Sequence, residues 1–85
     1  MKKYWAQVTV NKKPTVADPE GKTIAEALSR LGYNNVGRVR SGKVFSLNFE
    51  ADCDDSARDY LNEIALNILS NPVIEIFEME FKEIL

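Results

Sequence analysis

The sequence predicts a small α+β domain, ordered β-α-β-β-α-β, in which an antiparallel sheet carries two helices on one face. Two observations lead there. Apolar residues alternate at period two in stretches near the amino terminus, in the middle and near the carboxyl terminus. Between these lie two stretches whose apolar residues recur at helical spacing. No repeat, low-complexity stretch or linker interrupts the chain. Its 85 residues make one domain, residues 1–85, because two cores would each fall below the size that folds unaided.

In chain order, Tyr4 to Val10 alternates, with Tyr4, Ala6, Val8 and Val10 on one face and Trp5, Gln7 and Thr9 on the other. Asn11 to Ala17 is a polar loop. Asp18-Pro19 reads as the N-cap and first residue of a helix, a position where proline's missing N–H costs nothing. Ile24, Ala27, Leu28 and Leu31 form its apolar stripe, and Gly32 is its stop. Val36 to Arg40 is expected as a short strand with weak phasing, turning at Ser41-Gly42 into the strand Val44 to Glu50. Phe45, Leu47 and Phe49 point inward there. Asp54 or Asp55 caps a second helix with Ala57, Tyr60, Leu61, Ile64, Ala65 and Ile68 on its apolar face. Asn71-Pro72 ends that helix, and Val73 to Lys82 is the last strand. This order favours a ferredoxin-like arrangement.

The last strand is apolar on both faces: Val73, Phe77, Met79 and Phe81 on one, Ile74 and Ile76 on the other. One face of such a sheet meets the helices and the other meets water, unless another chain covers it. Ile74 and Ile76, with Trp5 on an outward phase of the first strand, are therefore candidate interface residues. A domain this small also buries only about 60% of its unfolded surface, so docking on another subunit is a natural source of stability.

Composition narrows the function classes without closing catalysis by carboxylates, lysine or tyrosine. Histidine is absent, which removes the commonest general base and metal ligand near neutral pH. The single cysteine, Cys53, rules out an internal disulfide and fits a reducing compartment. Neither an apolar signal segment nor an apolar run long enough for a bilayer is present, so a cytoplasmic protein without membrane contact is expected. The net charge of −2 hides a division. Residues 1–43 carry nine bases and three acids, residues 44–85 two bases and ten acids. Either the halves interleave and the charges mix, or the molecule has complementary faces that steer association.

The candidate motifs are weak. Gly21-Lys22-Thr23 matches the end of a phosphate-binding loop, but Val16 stands where its first glycine belongs, and Asp18 and Glu20 would repel phosphate. Asp52, Asp54, Ser56 and Glu63 have calcium-loop spacing, but Ala57 replaces the required glycine; acids at a helix amino terminus explain them. Cys53 has only acids nearby in sequence, which are expected to raise its pKa. Arg38, Arg40 and Lys43 make a basic hairpin. Because the rings of Phe45 and Phe49 alternate inward, it reads as a solvated turn, or as a docking edge for an acidic protein surface or a phosphate, rather than as a nucleic-acid site.

Four blocks together resemble the PurS family: Asp18-Pro19-Glu20-Gly21; Ala27-Leu28 with Leu31-Gly32-Tyr33; Val39-Arg40-Ser41-Gly42-Lys43; and Asn71-Pro72-Val73-Ile74-Glu75. The likeness runs from about Tyr4 to Phe81. It departs at Ile76-Phe77, where the family often has an acidic or polar residue before the aromatic one. The resemblance implies a PurS-like, dimer-forming fold and a role as the non-catalytic small subunit of phosphoribosylformylglycinamidine synthase, in de novo purine synthesis. That subunit joins a glutaminase subunit to a large ATP-dependent synthetase subunit, so that ammonia from glutamine converts formylglycinamide ribonucleotide to formylglycinamidine ribonucleotide. ATP, Mg and glutamine then belong to the larger subunits, and no cofactor or metal is expected on this chain. The residues alone leave open a small ligand-binding or regulatory module, or an enzyme working through carboxylates.

Overall fold

Strand β1 (Lys2–Lys12) is the middle of a three-stranded sheet, paired antiparallel on one side with β2 (Gly42–Ala51) and on the other with β3 (Glu75–Ile84). Helices α1 (Pro19–Arg30) and α2 (Asp54–Ile64) join the strands, and α2 runs on as one π-helical turn, Ala65–Leu69. The computed structural model describes all 85 residues, Met1–Leu85.

The period-two pattern of β1 sets the core. Tyr4, Ala6, Val8 and Val10 share one face and are at most 1% exposed. Ala57, Leu61 and Ala65, spaced by four, lie against them. Two alanines in that stripe let the helix approach the central strand closely, and Leu61 fills the space between. The π turn ends at Ser70, whose N–H and Oγ both donate to the Ala65 carbonyl, at 3.0 and 2.8 Å. Leu69 is thereby kept against the core.

The α+β class, the antiparallel sheet and the two helices are as expected, and several details differ. Val36–Arg40 joins no strand, so no hairpin forms at Ser41-Gly42; Gly42 instead begins β2 opposite Asn11. The physical reason is that this segment is held from outside the sheet. Arg38 donates to the Pro14 carbonyl (2.8 Å), and Arg40 donates to those of Lys13 (2.9 Å) and Val16 (2.7 Å). Helix α1 was expected beside α2 on the sheet, yet only Gly21 of its residues is buried, and Ile24 and Leu31 remain 41% and 74% exposed. Cys53, not an aspartate, caps α2, in a reciprocal box with Ser56. β3 starts at Glu75 because Val73 and Ile74 belong to a turn closed by Glu75 N–H donating to the Asn71 carbonyl at 2.7 Å.

One buried carboxylate ties the loops to the sheet. Asp18, 6% exposed, accepts from the Gly21 N–H (3.0 Å), the Ser41 N–H and the Ser41 hydroxyl (2.8 Å), with Lys12 Nζ at 3.8 Å. Those amides and that hydroxyl hold its pKa well below the usual carboxylate range, against the opposing effect of burial. Gly21 is needed because a side chain there would strike the Val39 carbonyl. Gly32 ends α1 at φ +93°, a conformation costly for other residues.

The chain is long and thin, 53 × 29 × 14 Å, with a radius of gyration of 16.8 Å. A compact chain of this length has a radius near 12 Å. Its accessible surface is 6128 Å², where a compact chain of the same mass exposes about 5,100 Å². The excess is about the area one partner contributes to a stable protein interface.

Truncating Leu61 to alanine is expected to cost about 3 kcal/mol in chemical denaturation, because nothing else reaches that space. Asp18→Asn should lower the melting temperature by on the order of 10 °C at pH 7. Since the folded pKa of Asp18 is depressed, its contribution is present above the unfolded value near 4 and fades as pH falls below it. The melting temperature of Asp18→Asn should therefore fall less steeply in acid than that of the native chain.

Candidate functional site

No cluster of His, Cys, Asp or Glu able to hold a metal ion is present, and the salient features are surfaces. Register sorts charge along the long axis. At one end of the sheet, Lys12 and Lys43 lie beside the loop of Arg38 and Arg40. At the other, Glu50 and Ala51 pair with Lys3 and Lys2 and lead into Asp52, Asp54 and Asp55. Of the three ion pairs, only Lys2–Glu83 (3.8 Å) crosses between the basic and acidic halves of the sequence. The halves interleave through β1: one end of the molecule is basic, and at the other the acids are mixed with Lys2 and Lys3.

The candidate interface residues fall in different places. Arg38 and Arg40 hold the Lys13–Val16 loop, so their guanidinium groups are partly used inside the chain. Lys43 is exposed and makes no ion pair. Trp5 and Ile76 share the outer sheet face, but Trp5 lies opposite Lys82 and Ile76 opposite Asn11. At the strand rise, positions 5 and 11 of β1 are roughly 20 Å apart. They form no single patch. Trp5 is instead covered by the Lys82 ammonium, 5.7 Å from its ring. Ile74 and Ile76 are 37% and 48% exposed, and Val73, beside them, is 76% exposed.

The more extensive apolar surface was not read from the sequence, because its residues carry the inward phase. Phe45, Leu47 and Phe49 on β2 and Phe77, Met79 and Phe81 on β3 all face the helix side, yet all are only half-buried. Tyr60, 50% exposed, sits with its ring 5.9 Å from that of Phe49.

Several groups with chemical potential are committed to structure. The Thr23 hydroxyl donates to the Pro19 carbonyl (2.9 Å), and the Gly21 N–H serves Asp18, so Gly21-Lys22-Thr23 is an ordinary first helical turn. Asp54 accepts from the buried Tyr4 hydroxyl at 2.8 Å. Burial and that carboxylate push the Tyr4 pKa up to about 12. Cys53 overturns its expectation: its pKa is lowered, not raised, because its thiol accepts from the Ser56 N–H at the start of α2, with the Ser56 hydroxyl beside it at 3.6 Å. The neighbouring Asp55 works in the opposite direction and is outweighed.

Residues 5–83 match the family model PurS, described as phosphoribosylformylglycinamidine (FGAM) synthase. The chain belongs to the PurS family. It is 35% identical over 81 residues to the phosphoribosylformylglycinamidine synthase subunit PurS of Methanocaldococcus jannaschii, covering 95% of this chain and 98% of that one. With the corresponding Mycobacterium leprae subunit it shares 43% identity over 70 residues, 82% and 85% of the two chains. The crystal structure of M. jannaschii PurS, one of the subunits of formylglycinamide ribonucleotide amidotransferase, superposes with a TM-score of 0.83 at 33% identity, over 96% and 99% of the chains. A chain of PurLQS from Thermotoga maritima superposes with a TM-score of 0.81 at 30% identity, over 99% and 100%. No helix in the chain is long and apolar enough to cross a membrane.

The Tyr4 pKa generates a spectroscopic expectation. Because its folded value is raised, the stabilisation from the neutral phenol is complete below the unfolded value near 10 and is lost as pH approaches 12. Phenolate absorbance should show one tyrosine titrating only near pH 12, and Tyr4→Phe should remove that step.

Proposed function

We propose that this chain is the accessory subunit of a phosphoribosylformylglycinamidine synthase, bridging the glutaminase subunit and the ATP-dependent synthetase subunit and bearing no catalytic residue itself. The observation that carries the reading is a chain-long match to PurS subunits in a protomer whose apolar faces are only half covered. Asp18, Asp54 and the Tyr4 phenol are spent on internal hydrogen bonds, and no nucleophile stands beside a base.

Bridging answers a physical need. Ammonia released into water is diluted and protonated before it meets a distant acceptor. A subunit that holds donor and acceptor sites together raises the effective concentration of one at the other. In this reading the chain acts as a homodimer or higher homo-oligomer in the cytoplasm. ATP, Mg and glutamine are bound by the larger subunits. The basic end, with Lys43 and the spare N–H groups of Arg38 and Arg40, faces an acidic surface of one of them. Val73, Ile74 and Ile76 supply a second, apolar contact.

The test is reconstitution from purified subunits. Leaving out this chain should abolish glutamine-driven synthesis while sparing ammonia-driven synthesis by the synthetase subunit to a larger degree; equal glutamine-driven rates with and without it would end the proposal. Arg38→Ala/Lys43→Ala should lower glutamine-driven turnover several-fold and weaken co-elution with the larger subunits. Unchanged turnover and co-elution would remove the basic end from the interface. Arg40→Ala is expected to act differently, by loosening the Lys13–Val16 loop and lowering thermal stability.

A further inference from the structure

Strand β3 is an outer strand of the sheet, and it runs for ten residues, Glu75–Ile84, without proline or glycine. The Lys13 N–H donates to the Ile74 carbonyl at 2.8 Å, continuing the β1–β3 register by one pair. Hydrogen-bonded and non-hydrogen-bonded pairs alternate in an antiparallel ladder. The even-numbered residues of β3 therefore turn their N–H and C=O groups toward β1, and Phe77, Met79 and Phe81 turn theirs to the open side. The side chains of those three lie on the helix side, half-buried. On the outer side, Glu78 and Glu80 are exposed and make no ion pair. Their neighbours across the ladder, Thr9 and Gln7, carry no charge. With Met79, these four line a shallow depression of about 260 Å³.

We propose that the β3 edge receives an extended segment of a different protein, added antiparallel as a further strand. That segment carries apolar residues opposite Phe77, Met79 and Phe81, and lysine or arginine opposite Glu78 and Glu80. Three features select this occupant. First, the outward N–H and C=O groups of Phe77, Met79 and Phe81 need backbone partners, which an extended chain supplies at the right repeat. Second, opposed residues in a sheet share a face. The apolar side chains of the segment then extend the half-covered row, while its basic side chains meet the two unpaired carboxylates. Third, charge rejects β3 of a second copy. Antiparallel pairing centred on Met79 would set Glu78 against Glu80 twice, acid opposite acid.

In the accessory reading above, the segment belongs to one of the larger subunits, and only that ownership rests on the reading. Strand capture is measured on this chain alone, so its failure leaves the accessory role to be judged by reconstitution. The probe is a dye-labelled peptide, Gly-Val-Lys-Val-Lys-Val-Gly, titrated with the full chain and followed by fluorescence anisotropy. It should bind with a dissociation constant below about 1 mM. Methylating the three valine amides, which face β3, should abolish binding. Methylating the two lysine amides, which face away, should change it by no more than about two-fold. Replacing both lysines of the peptide by glutamate should abolish binding to the native chain. Glu78→Lys/Glu80→Lys should reverse the preference, weakening the lysine peptide at least about ten-fold and admitting the glutamate peptide. No binding of the lysine peptide, or binding indifferent to valine-amide methylation, would overturn the proposal, as would a preference that the double variant leaves unmoved. The methylated peptides are read on the native chain, so that comparison decides even if the double variant does not fold.

Discussion

A single helix is about 10 Å across, and that width governs this molecule. Laid over the central strand it seals Tyr4, Ala6, Val8 and Val10, but it cannot also roof two flanking strands whose backbones lie about 4.8 Å to either side. Phe45, Leu47 and Phe49 on one flank, and Phe77, Met79 and Phe81 on the other, are left half-covered. A second helix on the sheet would close the gap. Here α1 is directed elsewhere by the knot at its amino terminus, so its apolar stripe and the sheet's flanks both await other surfaces. The elongated shape follows from the same constraint.

That knot explains why the most recognisable residues of the chain are not chemical ones. Asp18 and Gly21 come from one of the blocks that resemble the PurS family, and Val39 and Ser41 from another. They meet in space: the carboxylate gathers amides and a hydroxyl from both blocks, the glycine admits the Val39 carbonyl, and Arg40 fastens the intervening loop. The motif specifies where α1 leaves the sheet. Its worth to function is indirect, through the surfaces it leaves open.

Charge follows the same logic. With β1 in the middle, acids from the second half of the sequence flank bases from the first, yet the strand directions collect Lys12, Lys43, Arg38 and Arg40 at one end and Glu50, Asp52, Asp54 and Asp55 at the other. One end is therefore basic, while at the other Lys2 and Lys3 stand among the acids, so the two ends present different surfaces. For the accessory role proposed above, orientation of docking is the useful property, and charge placement bears on it.

Period two and the helical period are local properties, so the three long strands, the helices and the buried face of β1 were legible from residue order alone. The absence of histidine and of any nucleophile beside a base was equally plain, and the four blocks together pointed to the family. Arrangement was not legible. That Val36–Arg40 leaves the sheet depends on guanidinium bonds to Pro14, Lys13 and Val16, carbonyls more than twenty positions away. Trp5 and Ile76 looked like one patch because both point outward, and only strand register put them at opposite ends. The lowered pKa of Cys53 comes from the Ser56 N–H of a helix start, where sequence offered only nearby acids. Sequence by itself determined which residues are apolar and the period at which they recur. Tertiary structure decided which apolar residues stay uncovered, because coverage depends on where α1 points, and a buried hydrogen-bond knot between distant segments sets that direction.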